Sequence, residues 1–559
     1  MGIQQGFATS EMGLEGRSGR GPYATLAIFI FAARQWRWKD SMGALVGRGW
    51  LSLHNKMAGA SIWRLIGAGR VIAGAALLVG CAQAISNDPI NRPLSANNPR
   101  QIEAELRPDV ETNYDDMVIA LSFSGGGMRA AAFSYGVLTG MDETRVRSRT
   151  GTVSLLDRLD FLSGVSGGAI PAAYYGLRGR EAMADFKQRF LLADAEESLQ
   201  TNLGFINIAR GLQGGVNDPS HFPVWLDNHL FNHATMKDLL GRPRPRVWIN
   251  ASDIYGRTAF IFAPVTFSAL CSDITSYPVS LAVAASAAVP VVFTPIVIQD
   301  YAGGCPIALP EWVRRVRNDP EAAPLIRSYA DALERYRSGE VKYVKLLDGG
   351  LVDNFGLSGF TIARLASSTP FGPLAPQEAI KLRRFLFLVV DSGRTPSGQW
   401  AQTVPGPSGV DLIMAASDTA TESGAIGSYS AFDATMADWQ DQLVRWRCGL
   451  SEAERSLLGA PPGWNCRDVK FFIGRISFDQ LARERAAALN AVETRFKLPP
   501  EQVEMLIAAG HDALRNNPTF RDFLKSTPGV QPSPTPATNP PSSTPTATSD
   551  AKAREASAE

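Results

Sequence analysis

FLSGVSGG, residues 161–168, is a G-x-S-x-G pentapeptide preceded by apolar residues. The apolar residues are typical of the end of a buried strand, and residues 169–175 predict the helix that follows. A serine at such a junction stands on a sharp turn, which the flanking glycines Gly164 and Gly168 permit. Ser166 is therefore a candidate nucleophile. A glycine- and serine-rich turn without chemistry is the alternative interpretation of this motif.

A glycine-rich turn lies upstream of the pentapeptide. Residues 117–123 form an apolar run typical of a central parallel strand, and Ser124-Gly125-Gly126-Gly127 leads from it into a predicted helix. Unpaired N–H groups at a helix N-terminus bind a phosphate or the oxyanion of a tetrahedral acyl intermediate. A P-loop would need Gly-Lys-Ser/Thr, and a dinucleotide-binding turn would need a third glycine where Ala130 stands. A tight turn without chemistry remains the other alternative.

A candidate base lies downstream. Residues 341–347 alternate in hydropathy and end at Asp348, which Gly349 and Gly350 follow. An aspartate at the end of a strand, with glycines that open access to it, is well placed to accept a proton.

The histidines offer no evident third member of a triad. In the common Ser-Asp-His order the histidine comes last, and only His511 follows Asp348. We expect His511 to be a surface or packing residue of a terminal helix. His221, His229 and His233 lie in a helical stretch without an H-E-x-x-H pattern, so we predict no metal site. The serine and the aspartate would then act directly, without histidine.

The three motifs, in this order, resemble those of patatin-like phospholipases. A fourth stretch, AASAAVPVVFTP at residues 284–295, is similar to the family's Ala-Ser-x-Ala-x-Pro segment. The resemblance covers residues 115–395 well and extends loosely to about residue 525. It implies a three-layer α/β/α sandwich with a mostly parallel central sheet, and hydrolysis of acyl esters in lipids by a Ser–Asp dyad.

The resemblance also assigns the site residues by motif match. The nucleophile would be Ser166 and the proton acceptor Asp348, and the mechanism would need neither a metal nor a cofactor. The elbow would contain Gly164 and Gly168, and the aspartate motif would contain Gly349 and Gly350. The oxyanion loop would consist of Gly125, Gly126, Gly127, Met128 and Arg129. Arg129 would orient the loop or meet a lipid phosphate, and a helix-start arginine paired with a carboxylate is the alternative. The loop departs from the family's G-x-G-x-x-G at Ala130, as does the related cytosolic phospholipase branch.

Charge is distributed unevenly along the 559 residues, of which 45% are hydrophobic. The formal net charge of +1 does not indicate a protein that binds nucleic acid. Residues 1–80 hold nine Lys or Arg and three Asp or Glu, so the remainder carries −5. We therefore interpret residues 1–80 as a signal or targeting region rather than part of the fold.

The end of that region resembles a bacterial lipoprotein signal. Arg64 and Arg70 precede an apolar stretch at residues 71–80, which is too short to span a membrane. The stretch ends in Leu-Val-Gly-Cys at Cys81, similar to the lipobox, in which cleavage before the cysteine is followed by its diacylation. No aspartate follows Cys81, which favours an outer-membrane lipoprotein of the bacterial envelope. A short amphiphilic helix with a buried cysteine is the alternative.

The position of this signal predicts that translation starts at Met57, since a signal peptide begins near its start codon. Residues 1–56 would then not be translated. A competing interpretation makes residues 25–33 a second membrane-touching stretch, although it is far short of a span.

The rest of the chain divides into three parts. Residues 81–114 are predicted to be the anchor and a polar linker. Residues 115–526 are predicted to be the catalytic domain, with an insertion at 169–340 between elbow and aspartate motif. Residues 527–559 are rich in Pro, Ser, Thr and Ala and are predicted to be disordered. Further strands are predicted at 246–252, 385–391 and 471–476, and a helix is predicted around residues 503–514.

Without Cys81, an even number of cysteines remains. Cys271 and Cys305 form one pair close in sequence, and Cys448 and Cys466 form the other. Disulfides at these pairs would fit an oxidising periplasm. Four buried free thiols are the alternative.

Together these observations favour a membrane-tethered serine hydrolase that cleaves acyl esters of membrane lipids or phospholipids and binds no nucleic acid. A transacylase that uses the same acyl-enzyme is one alternative. A lipid-binding lipoprotein on an inactive hydrolase fold is the other, and the intact serine, aspartate and glycine loop argue against it.

Overall fold

A computed structural model describes residues 87–95, 116–148, 151–199, 215–303, 305, 307–395 and 399–530. The predicted signal region 1–80, Cys81, most of the linker and residues 531–559 lie outside the described residues. Residues 87–95, in the first half of the predicted linker, pack along the catalytic domain.

Ten strands are formed by the described residues. They are β1 (Met117–Phe123), β2 (Arg145–Ser148), β3 (Gly151–Ser154), β4 (Phe161–Val165), β5 (Arg246–Asp253), β6 (Thr258–Ile261), β7 (Ile296–Gln299), β8 (Tyr343–Asp348), β9 (Arg384–Val390) and β10 (Lys470–Ile476). Eight of them form one sheet in the order β10-β9-β1-β4-β5-β8-β7, with β6 also paired to β5, and β2 and β3 form a separate ribbon.

The sheet is mixed but mostly parallel. Strands β10, β9, β1, β4 and β5 all run in one direction. Strands β8 and β6 pair antiparallel with β5, and β7 pairs antiparallel with β8. The carboxyl ends of β1 and β4 therefore meet at one edge, where the two glycine-rich turns emerge.

The described helices cover both faces of this sheet. They are α1 (Gly127–Glu143), α2 (Ala169–Arg178), α3 (Ala182–Phe186), α4 (Phe222–Leu226), α5 (Met236–Leu240), α6 (Pro264–Ala269), α7 (Val279–Ser286), α8 (Glu311–Asn318), α9 (Pro324–Arg337), α10 (Gly350–Asp353), α11 (Ser358–Ala366), α12 (Pro376–Ala379), α13 (Val410–Gly449), α14 (Glu452–Leu457), α15 (Arg483–Asn490), α16 (Pro500–Asn516) and α17 (Pro518–Ser526). None of them combines the length and hydropathy that crossing a bilayer requires.

Two separate apolar cores show the three layers. In β9, Phe385, Phe387 and Val389 face a core that α11 and α13 cover. The alternate residues Leu386 and Leu388 face the larger core, which is covered by α1, α2, α7 and α16. Because β9 is buried on both faces, its sequence is a nearly continuous apolar run. The predicted α/β/α sandwich with a mostly parallel sheet is confirmed.

Most local predictions agree with these bounds. The strand predicted at 117–123 is β1, and those predicted at 246–252, 385–391 and 471–476 correspond to β5, β9 and β10 within a residue. The stretch at 169–340 supplies β5, β6, β7 and α7, so part of it builds the sheet itself.

Two disulfides join the cysteines that are close in sequence. Cys271 bonds to Cys305 and Cys448 bonds to Cys466, with Cα atoms 5.7 and 4.9 Å apart. The second disulfide ties the carboxyl end of α13 to the loop before β10.

Candidate active site

Ser166 stands at the turn between β4 and α2. Its backbone is left-handed, with φ of 51°, which is uncommon for a residue with a side chain. The next residue lies so close to the glycine loop that a Cβ on Gly167 would fall 2.0 Å from the carbonyl oxygen of Gly127. A Cβ on Gly168 would fall 2.5 Å from the carbonyl oxygen of Ser124. Glycine is thus required after the serine because two turns of the backbone pack against each other.

The glycine loop connects β1 to α1 beside the serine. Gly126 and Gly127 have φ of 137° and 59°, which side chains rarely tolerate. A Cβ on Gly125 would lie 3.3 Å from the Cβ of Ser166, so the loop borders the serine directly.

The backbone donors of this loop differ in availability. The N–H of Gly125 donates to the carbonyl and side-chain oxygens of Asn354, at 3.2 and 3.1 Å. The N–H of Met128 donates to the carbonyl of Arg495 at 2.7 Å. Within the described part of the chain, no acceptor is bonded to the N–H of Gly126 or Gly127. Two neighbouring donors therefore remain available for an anion.

Arg129 is buried next to the glycine loop and bonds to two other segments of the chain. Its Nε donates to the carbonyl of Ser392 at 2.9 Å, and its Nη1 donates to Val492 O and Thr494 Oγ1, both at 2.9 Å. Burial lowers the pKa of Arg129 to about 10, with a smaller contribution from Arg394. Its hydrogen bonds go to carbonyl and hydroxyl oxygens, so the side chain positions the start of α1.

Asp348 ends β8 and lies against the serine. The Ser166 hydroxyl lies close enough to its carboxylate to favour the charged form, and the N–H of Gly350 donates to Oδ1 at 2.8 Å. Burial raises the pKa of Asp348 to about 6, and the Ser166 hydroxyl and the Gly350 N–H oppose that rise because they stabilise the charged form. The structure therefore brings together the serine, the aspartate and the glycine loop, which are distant in sequence.

One short segment, residues 286–288, bonds to the backbone of both Ser166 and Asp348 and so fixes their relative position. The hydroxyl of Ser286 accepts from the N–H of Ser166 at 2.8 Å and donates to the carbonyl of Asn250 at 2.6 Å. The carbonyls of Ser286 and Ala288 accept from the N–H groups of Gly349 and Asp348, at 3.0 and 2.9 Å. Ser286 is thus a positioning residue to which the sequence analysis gave no role, although it lies in the quoted Ala-Ser-x-Ala-x-Pro segment.

A second positioning residue is Asn354, which follows the aspartate motif. Its two hydrogen bonds from Gly125 connect α10 to the glycine loop. A Cβ on Gly350 would lie 2.9 Å from its Oδ1, so the aspartate motif and the loop pack around one amide. No local sequence pattern indicated this role.

The described histidines are engaged away from the dyad. His511 lies on α16, where Nε2 pairs with Glu143 at 2.8 Å and Nδ1 with Asp512 at 3.1 Å. His229 stacks on Trp225 with ring centroids 4.0 Å apart, and His233 pairs with Asp227 at 2.6 Å. No cluster of metal-ligating side chains occurs among the described residues.

Comparison with known proteins agrees with this geometry. No curated protein matches the chain. Residues 121–361, which contain the glycine loop, the elbow and the aspartate motif, match the family model described as patatin-like phospholipase. This part of the chain is therefore a patatin-like phospholipase domain, of a family of lipid acyl hydrolases.

Proposed function

We propose that the protein is a serine lipid acyl hydrolase that cleaves carboxylic esters of membrane lipids through Ser166 and Asp348, as a step of lipid breakdown. The observation that carries the proposal is the placement of the Ser166 hydroxyl next to the buried Asp348 carboxylate, which residues 286–288 hold through both backbones, beside two unpaired backbone donors. The patatin-like phospholipase domain supports the substrate class.

In the first half of the reaction, Asp348 takes the proton of Ser166 as the serine oxygen attacks the ester carbonyl. The carbonyl oxygen becomes an oxyanion, which the N–H groups of Gly126 and Gly127 would stabilise. Loss of one such donor in a comparable site costs about 3–4 kcal/mol of transition-state stabilisation. Protonated Asp348 then gives its proton to the leaving alcohol, and the acyl group remains on Ser166.

In the second half, a water molecule attacks the acyl-enzyme. Asp348 takes a proton from this water, and the same two N–H groups stabilise the second oxyanion. Collapse of the intermediate releases the fatty acid, and Ser166 regains its proton from Asp348. Every proton taken is returned, so the steps need only the chain's own groups and water.

We also propose that the protein is an outer-membrane lipoprotein of a bacterial envelope, anchored through a diacylated Cys81. The basic stretch, the short apolar stretch and the Leu-Val-Gly-Cys sequence before Ala82 support this. Such an anchor would hold the domain beside its lipid substrates. Mass spectrometry of the mature N-terminus tests it, and an unmodified Cys81 in a chain that retains residues 71–80 would contradict it.

The dyad is tested by lipid product analysis and by labelling with a fluorophosphonate, which reacts with activated serines. We expect Ser166→Ala to abolish labelling and release of fatty acid, and Asp348→Asn to reduce both by orders of magnitude, because the hydroxyl loses its base. Matched controls are Ser430→Ala and Asp441→Asn, which change exposed residues of α13. Both controls should retain full activity.

The outcomes separate the alternatives. Full activity of Ser166→Ala would exclude this dyad. Labelling without fatty acid release, together with acyl transfer to an added alcohol, would show a transacylase. Absence of labelling and turnover in the unsubstituted protein would indicate a lipid-binding role.

A further inference from the structure

An exposed group of basic, aromatic and aliphatic side chains lies at one edge of the sheet. We name it the basic-aromatic edge; it consists of Ile254, Tyr255, Arg257, Lys342, Tyr343 and Lys345. Tyr255 is 59% exposed, Ile254 43% and Tyr343 39%, so three large side chains of apolar character face solvent together. Apolar surface of this kind on a soluble domain is typical of an interaction site.

The basic-aromatic edge lies at the same end of the sheet as the dyad. Ser166 follows the carboxyl end of β4, and β5 runs parallel to β4 and continues into the turn at residues 254–257. Strand β8 runs the other way, so Tyr343 at its start lies beside that turn and Asp348 at its end lies deeper, paired with Ala251. The turn therefore begins three residues beyond the level of Asp348, or about 10 Å along the strand.

The charge of this surface is predominantly positive. The Nζ atoms of Lys342 and Lys345 lie 5.6 and 5.4 Å from the ring centroid of Tyr343. Three acidic residues lie nearby: Glu340 accepts a hydrogen bond from the hydroxyl of Tyr255 at 3.3 Å, the buried Asp253 accepts from the N–H of Tyr255 at 3.0 Å, and the N–H of Asp300 donates to the carbonyl of Lys342 at 3.1 Å. In the described ranges, no ion pair joins either lysine to a carboxylate. Basic side chains around exposed tyrosines suit a surface of anionic headgroups, where tyrosine rings lie at the interface.

The N-terminal segment reaches the strand next to this edge. Asn91 exchanges two hydrogen bonds of 2.8 Å with the backbone of Gln299, the residue of β7 that pairs with Tyr343. The hydroxyl of Tyr301 donates to the carbonyl of Asn91 at 2.7 Å. Only five residues lie between Cys81 and Asn87, so the two can be at most about 20 Å apart. A lipid on Cys81 would therefore hold this side of the sheet close to a bilayer.

From the charge, the exposed tyrosines and the short tether, we propose that the basic-aromatic edge docks on a membrane surface that contains anionic phospholipid headgroups. The docked edge turns the end of the sheet that carries Ser166 toward the bilayer. This deepens the proposed function and rests on it, since a membrane lipid is then both the docking surface and the source of the ester.

Vesicle sedimentation tests the docking without interference from the anchor or from turnover. The protein used is the full chain carrying Cys81→Ser and Ser166→Ala, with vesicles of phosphatidylcholine alone or mixed with phosphatidylglycerol. We expect tighter binding to the mixed vesicles, and a weakening at high salt because the attraction is screened. Adding Lys342→Glu and Lys345→Glu should lower the partition coefficient on the order of 30-fold, since each lysine near such a surface contributes about fivefold.

The matched control reverses two lysines elsewhere. Lys470→Glu and Lys525→Glu change exposed residues at the start of β10 and on α17, toward the opposite end of the sheet from Ser166. This control should bind like the parent. A further variant, Tyr255→Ser with Tyr343→Ser, keeps the charge and should also weaken binding. Thermal unfolding of each variant checks that the fold is retained.

The results separate docking from catalysis. Unchanged binding of the Lys342→Glu/Lys345→Glu variant, or an equal loss in the Lys470→Glu/Lys525→Glu control, would overturn the docking proposal. In the protein with Ser166 intact, the edge variants should retain hydrolysis of a soluble short-chain ester and lose hydrolysis of vesicle lipid. If the intact protein hydrolyses no ester while the vesicle results hold, docking stands and the proposed function fails.

Discussion

The carboxylate of Asp348 is buried, and in the proposed reaction it must carry a charge before it accepts the proton of Ser166. Burial raises its pKa to about 6, so the base is ionised at neutral pH and becomes protonated below that value. We expect kcat/KM for a soluble ester to fall about tenfold per pH unit below about pH 6. A pH–rate profile checks this. A plateau that extends unchanged to about pH 4, the range of an ordinary carboxyl, would argue against Asp348 as the base.

The same raised pKa has a consequence for stability. The pKa of Asp348 is about 6 in the folded protein and 3.8 for an ordinary aspartate. Between pH 3.8 and about pH 6, Asp348 is therefore more protonated in the folded protein than in the unfolded chain. Stability conferred by the protonated form is therefore lost as pH rises through this window, and the charged form destabilises the fold at neutral pH. Asp348→Asn should raise the free energy of unfolding at about pH 7 by up to about 3 kcal/mol, and by less near pH 4. Urea unfolding at both pH values measures this, with Asp441→Asn as the exposed control; equal effects of Asp348→Asn at both pH values would contradict it.

The sequence alone predicts those site residues that belong to a local motif. Ser166 and Asp348 each stand beside glycines in a recognisable spacing. The roles of Ser286 and Asn354 could not be predicted in this way, because their hydrogen bonds join residues 120 and 229 positions apart. Whether the backbone donors of Gly125 and Met128 are available also depends on such distant acceptors, which no spacing reveals.

At the scale of elements, the contact between the elbow and the glycine loop leaves no room for a methyl group. A Cβ on Gly167 would lie 2.0 Å from Gly127 O and 2.6 Å from Gly127 N, both backbone atoms. We expect Gly167→Ala to separate the two turns and destabilise the fold by about 1–3 kcal/mol. Activity should fall further than stability alone explains, because the oxyanion donors move away from the serine.

The control for this change is Gly427→Ala on α13, where an added Cβ meets nothing within 4 Å. Alanine in a helix is favoured over glycine by about 1 kcal/mol, so this variant should be slightly stabilised. Thermal unfolding and ester hydrolysis of both variants make the comparison. A Gly167→Ala protein with unaltered kcat would show that the close contact does not position the loop.

Strands were predictable where the pattern is local, and their directions were not. The apolar runs of β1 and β9 indicate strands buried on both faces, and the structure places both at the centre of the parallel part. The alternation before Asp348 indicates β8 but not its antiparallel direction, which depends on pairing with β5 and β7. The 40-residue helix α13 was not predicted. Its first half is largely exposed, including Leu412 and Ile413, so no apolar stripe marks it.

At the scale of the whole molecule, the site is assembled from distant parts of the chain. Strand β4 supplies the nucleophile, β1 the glycine loop and β8 the base, while α7 supplies Ser286 between them. The larger core extends to α16, which packs against α1 directly behind the loop, where Gly510 and Gly136 allow the two helices to approach closely. Placement of the dyad therefore depends on contacts between elements that lie far apart in the sequence, from β1 to α16.

The two disulfides act at this scale, because each restricts the unfolded chain. The cysteines they join are 34 and 18 residues apart in sequence, for Cys271–Cys305 and Cys448–Cys466. Loop-closure entropy predicts losses of about 4 and about 3 kcal/mol of unfolding free energy when each is removed. The double variants Cys271→Ser/Cys305→Ser and Cys448→Ser/Cys466→Ser, compared with dithiothreitol treatment of the parent, measure the two contributions by urea unfolding. Dithiothreitol should leave the variant that lacks both disulfides unchanged. Unfolding of the parent that is insensitive to dithiothreitol, with free thiols detected before treatment, would instead show that the four cysteines are unpaired in solution.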